Sequence, residues 1–326
     1  MLAGKRRHLR TRLFNALDTL YARFADPRKA IVILGFSRSG TTFLLEALAA
    51  LSGRRSVFEP TSDLNPQALS FLHPHVYALD DGRRWRTGVP YRAPAQRDPA
   101  LEAYMADVLR GNVHTVYARL NRTTASYRTI QVIVKDVQAN LFAAWLANTF
   151  GAKIILLYRH PCAVVDSVLH VWPWWPQAGQ FLAMFLDQPR LIDDWLTPHM
   201  DRIQAENRDA LARAALGYSI AYAVPFAQAE RGDFNPLLVR YEDLVLDPEA
   251  SFARVCAFAG VPFDMDTIRR VLDTPSRSSI AKARVRATPR ERVYGWQDTL
   301  APEDIDRIVR IVRGFGDAFA DVVLAP

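Results

Sequence analysis

Cysteine and lysine are scarce in this 326-residue chain. Its two cysteines, Cys162 and Cys256, exclude a disulfide scaffold and a Cys-ligated zinc site, and they suit a reducing compartment. None of the seven histidines falls in a metal-ligand spacing, so no metal is expected. No uncharged apolar run reaches ~18 residues, so no stretch reads as an obvious membrane span. Internal repeats, low-complexity tracts and Gly/Ser linkers are missing too. What is present is ample apolar material, half the residues, with 23% charged, which is enough for a sizeable core. The net charge is 41 − 34 = +7, and the cations are nearly all arginine; only Lys5, Lys29, Lys135, Lys153 and Lys282 are lysine. Arginine suits bidentate phosphate or sulfate contacts. No basic recognition helix or RNA-binding motif accompanies the charge, so nucleic acid is not an expected partner.

The chain opens with Lys5, Arg6, Arg7, Arg10 and Arg12, followed by Leu9, Leu13, Leu17, Leu20, Tyr21 and Phe24 at helical spacing. The spacing predicts a basic amphipathic helix within 1–29. The segment lacks the uninterrupted apolar stretch and small-residue cleavage site of a secretory signal. Two readings stand: a helix packed on the domain, or a peripheral contact with anionic lipid. The expected location is cytoplasmic, either free or peripheral on the inner face of the membrane.

From Ala30 onward, strands alternate with helices. Continuous apolar runs at Ile31–Leu34, Ser56–Phe58, Ile130–Val134, Lys153–Tyr158 and Leu237–Tyr241 read as strands buried on both faces. Helical patterns fall near 40–51, 99–118, 139–149, 161–170, 208–231, 248–260 and 302–319. The alternation predicts an α/β fold, a doubly wound and mostly parallel sheet with helices on both faces. A single domain over 30–326 is expected, with insertions near 61–98 and 171–207.

The turn after the first strand is Gly35-Phe36-Ser37-Arg38-Ser39-Gly40-Thr41-Thr42. Its Gly-x-x-x-x-Gly spacing is that of a P-loop, but Thr41 stands where a nucleotide-hydrolysing loop carries lysine. Such a loop wraps an anion with backbone N–H groups at a positive helix end. Arg38 supplies the charge from inside the loop, and Thr41 and Thr42 add hydroxyls. The alternative is an ordinary strand–turn–helix corner, where these residue types serve turn and cap.

These residues resemble the 5′-phosphosulfate loop of sulfotransferases that use 3′-phosphoadenosine-5′-phosphosulfate (PAPS). With arginine at position 38, the loop is more similar to the carbohydrate and bacterial branches of that family. Tyr158-Arg159-His160-Pro161 with Ser167 resembles the family's 3′-phosphate segment. Val239-Arg240-Tyr241-Glu242-Asp243-Leu244 is similar to a strand–loop near its C-terminal part. Arg290 with Gly295-Trp296 resembles the loop that closes over the 3′-phosphate. The resemblance implies a P-loop-like fold and a metal-independent sulfotransferase with PAPS as co-substrate and 3′-phosphoadenosine-5′-phosphate (PAP) as product. The residues it marks for donor binding are Ser37, Arg38, Ser39, Gly40, Thr41, Thr42, Arg159, Ser167, Arg290 and Trp296.

For catalysis, the resemblance marks Glu59 as the base, with Arg38 and Lys135 assisting the transfer. Cytosolic relatives place a histidine two residues after the lysine; here that position is Val137. Glu59 also reads as a carboxylate ending a strand, and Lys135 as a strand-end partner of Asp136. The acceptor is a hydroxyl or amine of a carbohydrate, lipid-like or small molecule. Trp172, Trp174 and Trp175 read either as a wall for it or as a buried plug. The rival readings are a P-loop nucleotide or sugar phosphotransferase and a catalytically inactive nucleotide-binding module.

Overall fold

A computed structural model describes residues 2–62, 64–65, 67–68, 72, 77–78, 84–85, 88–120, 127, 129–177, 181–274 and 288–325. Its centre is a five-stranded sheet in which β1 (Ile31–Leu34), β2 (Arg55–Phe58), β5 (Val132–Asp136), β6 (Lys153–Tyr158) and β7 (Leu237–Arg240) lie in the order β2-β5-β1-β6-β7. All the pairings in this sheet are parallel. A separate two-stranded antiparallel ribbon pairs β3 (Tyr77–Ala78) with β4 (Arg84–Trp85).

Every residue of β1 is buried, because helices cover both faces of the sheet. Ile31 and Ile33 pack with Leu44, Leu48, Phe252 and Val255 on one face. Val32 and Leu34 belong to the opposite core with Trp145, Tyr218 and Tyr222. The period-two alternation of side chains thus separates two hydrophobic layers, as expected of a doubly wound α/β fold.

The helix Ala210–Glu230 is the one described helix with the length and apolarity to cross a bilayer, yet most of it is buried within this fold. It lies against the Pro161–Val171 and Pro302–Arg313 helices. A charge at Arg213 and the buried tyrosines Tyr218 and Tyr222 suit a core element.

Element boundaries differ from the sequence expectation in four places, each for a local reason. The 99–118 helix ends at Arg110, where Gly111 takes a left-handed φ of 77° and closes it. The third main strand starts at Val132 and runs to Asp136, so Lys135 and Asp136 belong to the strand. At the other edge, β7 stops at Arg240 and Tyr241 opens a short helix, Tyr241–Leu246, where a loop was expected. The closing helix splits into Pro302–Arg313 and Asp317–Val323, with Gly316 at φ 123° between them. Much of the 61–98 segment lies outside the described residues. The 171–207 segment contains short helices, among them Trp174–Gln177, Ala183–Leu186 and Met200–Glu206.

The first helix, α1 (Leu2–Ala22), is tied to the sheet through Asp18. That carboxylate is fully buried and accepts from Arg55 at 3.2 Å and from Arg119 at 2.9 Å. Arg55 is itself buried and also donates to the carbonyls of Arg110 and Ile130. Because Arg55 begins β2, this contact joins α1 to the strand that leads to Glu59.

Candidate active site

The chain leaves β1 towards β2 and β5 on one side and returns through β6 and β7 on the other. In open α/β sheets such a reversal opens a crevice at the carboxyl ends of the strands. The residues of interest emerge there: the 35–40 loop after β1, Glu59 after β2, Lys135 at the end of β5, and Arg159 after β6.

The loop's shape follows from two left-handed residues and two close approaches. Arg38 has φ 72° and Gly40 has φ 93°. A β-carbon on Gly35 would lie 2.5 Å from the Leu157 carbonyl oxygen, and one on Gly40 would lie 2.3 Å from the Tyr241 ring. Neither position has room for a side chain. α2 (Thr41–Ser52) then starts with no side chain capping its N-terminus. Its first N–H groups lie beyond the reach of intrahelical carbonyls, and the helix dipole adds positive potential there. Thr41 and Thr42 are buried in this first turn, and Ser37 is partly exposed on the loop.

Ser39 faces inward. Its Oγ lies 2.9 Å from the Tyr222 hydroxyl, which also accepts from the Phe36 N–H at 2.8 Å and reaches the Leu157 carbonyl at 2.7 Å. Tyr222 therefore pins the loop to β6 from inside the core. Sequence reading missed it, because a tyrosine in a long apolar helix carries no local sign of a partner 186 positions away.

Arg38 joins the first two signatures directly. Its Nε donates to Ser167 Oγ at 3.0 Å, and its guanidinium lies 5.4 Å from the Trp172 ring centroid. Arg159 donates to the Arg38 carbonyl at 3.4 Å and to the Arg292 carbonyl at 2.8 Å, and lies 4.7 Å from the Tyr241 ring centroid. Ser167, two turns along the Pro161–Val171 helix, thus shares one cluster with Arg38 and Arg159.

Trp296 stacks on His160 at 4.6 Å between centroids. Arg290 is placed differently from the expectation. It is exposed, 5.6 Å from the Tyr294 ring, and has no described contact with Arg38, Arg159 or Ser167. The nearest described contact of this helix with the cluster is the Arg292 backbone carbonyl, which accepts from Arg159. The Pro289–Tyr294 helix is fixed by a Thr288–Glu291 capping box, and Arg292 donates to the Leu272 carbonyl at 3.0 Å.

Three buried N–H groups in this neighbourhood have no acceptor among the described residues: Arg159 Nε, Arg292 Nε and Trp296 Nε1. Buried donors are nearly always paired, so a surplus of this kind suits an anionic ligand. On this test the residues fit a phosphate-bearing substrate.

On the other side of the loop, Glu59 follows β2 with φ 42°, an uncommon backbone for a non-glycine residue. Its N–H donates to the Lys135 carbonyl at 2.6 Å. Its carboxylate accepts from the Lys135 ammonium through one oxygen and from the Tyr117 hydroxyl through the other. Lys135 therefore pairs with Glu59 rather than with neighbouring Asp136, and it lies 4.5 Å from the Phe58 ring centroid.

Asp136 points elsewhere, accepting from the Thr61 N–H at 2.9 Å and hydroxyl at 2.7 Å. Burial pushes its carboxyl up to about 6. This contact fixes the turn that follows Glu59. Burial also raises the Tyr117 hydroxyl, with Glu59 adding to the rise, so Tyr117 is a neutral donor at ordinary pH.

The tryptophan segment divides. Trp175 stacks with Phe36 and meets Phe181 edge-on at 4.9 Å, and so packs, partly buried, against the core. Trp172 lies beside Arg38 and belongs to the rim of the site.

His160 gives a pH signature. Burial, with help from Arg240 and Arg159, pushes its imidazole down to about 4. Between that value and 6.5 the unfolded chain binds a proton that the folded chain refuses, so stability falls as pH drops through the window. Asp136 has the opposite slope, since its folded form holds the proton up to a higher pH. Comparison with His160→Asn isolates the histidine: the Tm advantage of the parent over the variant should shrink from pH 6.5 towards 4. Parallel Tm–pH curves would show that the imidazole titrates normally in the fold.

A model of the sulfotransferase family matches residues 30–265. No curated protein matches the chain. Among solved structures, the sulfotransferase domain from the curacin biosynthetic pathway is similar at 17% identity and a TM-score of 0.45, covering 86% of this chain and 95% of its own. Sulfotransferase STF9 from Mycobacterium avium is similar at 14% identity and 0.42, covering 90% and 82%. A retinol dehydratase in a complex with retinol and PAP is similar at 14% and 0.41, covering 89% and 81%. The family match takes in the 35–42 loop, Glu59, Lys135, Arg159 and Ser167, and the chain belongs to the sulfotransferase family.

Proposed function

We propose that this protein transfers the sulfuryl group of PAPS to a hydroxyl or amine acceptor by in-line displacement. The observation that supports this most is the pairing of two chemistries across one loop. On one side is a cationic, donor-rich cluster of Arg38, Ser167, Arg159 and the α2 N-terminus. On the other is a carboxylate–ammonium pair, Glu59 with Lys135.

In this reading the 5′-phosphosulfate end of the donor is held by Arg38 and the N–H groups of the 35–42 turn. Its 3′-phosphate takes the buried donors around Arg159, Trp296 and Ser167. Glu59 accepts the acceptor's proton as the new S–O bond, or S–N bond for an amine, forms. As the S–O bond to the 5′-phosphate breaks, Arg38, Lys135 and the loop N–H groups stabilise the charge that gathers on the departing oxygen. Trp172 lines the acceptor side, whose chemistry ranges over carbohydrate, lipid-like and small-molecule hydroxyls or amines. A P-loop phosphotransferase is less well supported, because Thr41 occupies the position of the phosphate-gripping lysine.

Binding of PAP, ADP and ATP, each with and without Mg²⁺ and followed by thermal shift, tests the donor assignment. PAP should stabilise the protein most, and without the metal; the largest shift with ATP and Mg²⁺ would move the protein to the phosphotransferase class. Arg159→Ala should weaken PAP binding roughly tenfold or more, as expected for a lost charge-assisted contact. Unchanged affinity by calorimetry would remove Arg159 from the donor site.

A further inference from the structure

We propose that the outer face of α1 docks on an anionic lipid surface, independently of the transfer reaction. The helix has two unlike faces. The inner one carries Asp18, buried against Arg55 and Arg119, and Phe14, stacked on Tyr127 at 5.1 Å between centroids. Its end is sealed by buried Ala22 and Ala25. The outer one carries Leu13, Leu17 and Leu20, spaced by four and three residues and hence on one side of the helix, with Phe24 following in the turn that ends it.

Leu13, Leu20 and Phe24 are 56%, 47% and 66% exposed, although the inner face of the same helix is firmly packed. The 112–120 segment, which bonds to α1 through Asn112 and Arg119, adds exposed Val116 and Leu120. These five are half of the ten large exposed apolar residues among those described, and all five lie on α1, its closing turn or the segment bonded to it.

Charge selects the occupant. The first twelve residues contain Lys5, Arg6, Arg7, Arg10 and Arg12, and no acid precedes Asp18, whose charge is turned inward. Arg12 and Arg23 are exposed along the same helix and its closing turn. An apolar stripe bordered by cations matches a bilayer with anionic headgroups, where leucine and phenylalanine enter the acyl boundary and arginines meet phosphate. A second copy of this chain would bring like charges together at the same face.

Co-sedimentation of the full chain with vesicles tests this. The vesicles are phosphatidylcholine alone, or phosphatidylcholine with phosphatidylglycerol as a minor component. Binding should be confined to the mixed vesicles and released by high salt. Leu20→Glu with Phe24→Glu should reduce the partition roughly tenfold or more, while Tm and PAP affinity stay at parental values. Arg12→Glu with Arg23→Glu should reduce it while leaving the apolar stripe intact. Equal binding to both vesicle types, no binding to either, or parental binding by the leucine–phenylalanine variant would overturn the proposal. So would a concentration-dependent dimer that those same substitutions abolish. PAP affinity is read separately, so failure here leaves the assignment of the transfer site standing.

Discussion

Glu59→Gln is expected to lower kcat by roughly 10²–10⁴ while leaving PAP affinity near the parental value. Glutamine keeps the length and shape of the side chain and can still accept a hydrogen bond from Tyr117. It cannot take a proton from the acceptor. The positive φ at Glu59 and its backbone bond to the Lys135 carbonyl are set by the main chain, so the substitution should keep the path of the chain after β2. It does so at some cost in stability, because it leaves the buried Lys135 ammonium without its carboxylate. The effect should therefore appear in kcat with little change in the KM for PAPS.

Lys135→Met breaks the same pair from the other side. The proposed role of Lys135 is on the departing oxygen, and its loss leaves the partly buried Glu59 carboxylate without its cation. Loss of stability together with turnover is expected there. A Glu59→Gln enzyme that keeps near-parental kcat, measured with saturating donor and acceptor, would remove Glu59 from the proton transfer.

Local chemistry made much of this site readable before any coordinates. β1 and its turn follow from a β-branched run ended by two glycines whose positions exclude side chains. The Pro161–Val171 helix follows from proline at its first position and places Ser167 two turns on. Long-range partners were not readable. Tyr117 reaches Glu59 across 58 positions, and Tyr222 reaches Phe36 across 186, each from a segment with no chemical signature of its own.

Arg290 and Arg292 show a subtler limit. Both precede the Gly295-Trp296 pair, yet the Arg290 side chain lies beside Tyr294 and Arg292 meets Arg159 through its backbone carbonyl. The helix that carries both starts at the Thr288–Glu291 box, a pattern present in the sequence but easily passed over beside a more obvious arginine. The buried Asp18–Arg55 contact was likewise hidden, since an aspartate inside an amphipathic helix reads as part of its solvated face.

That contact carries the largest expected stability effect. Asp18→Ala should destabilise the fold by about 3–5 kcal/mol, because it leaves the Arg55 guanidinium fully buried without its counter-charge. For a chain of this size the loss corresponds to a Tm decrease of about 4–7 °C. Carbonyl acceptors at Arg110 and Ile130 remain for Arg55 but do not neutralise it, and Arg119 loses the same carboxylate. Asp18→Leu combined with Arg55→Met removes both charges of the inner pair, and should recover a large part of the loss, since burying a matched apolar pair costs less than burying an unmatched ion.

The consequence extends to the transfer site. Arg55 opens β2 and Glu59 follows its end, so loosening this anchor is expected to lower kcat beyond what the unfolded fraction accounts for. Urea melts on the three proteins decide the energetic claim. An Asp18→Ala midpoint equal to the parent's would mean that water reaches Arg55, and that α1 is held by its aromatic contacts with Tyr127 instead.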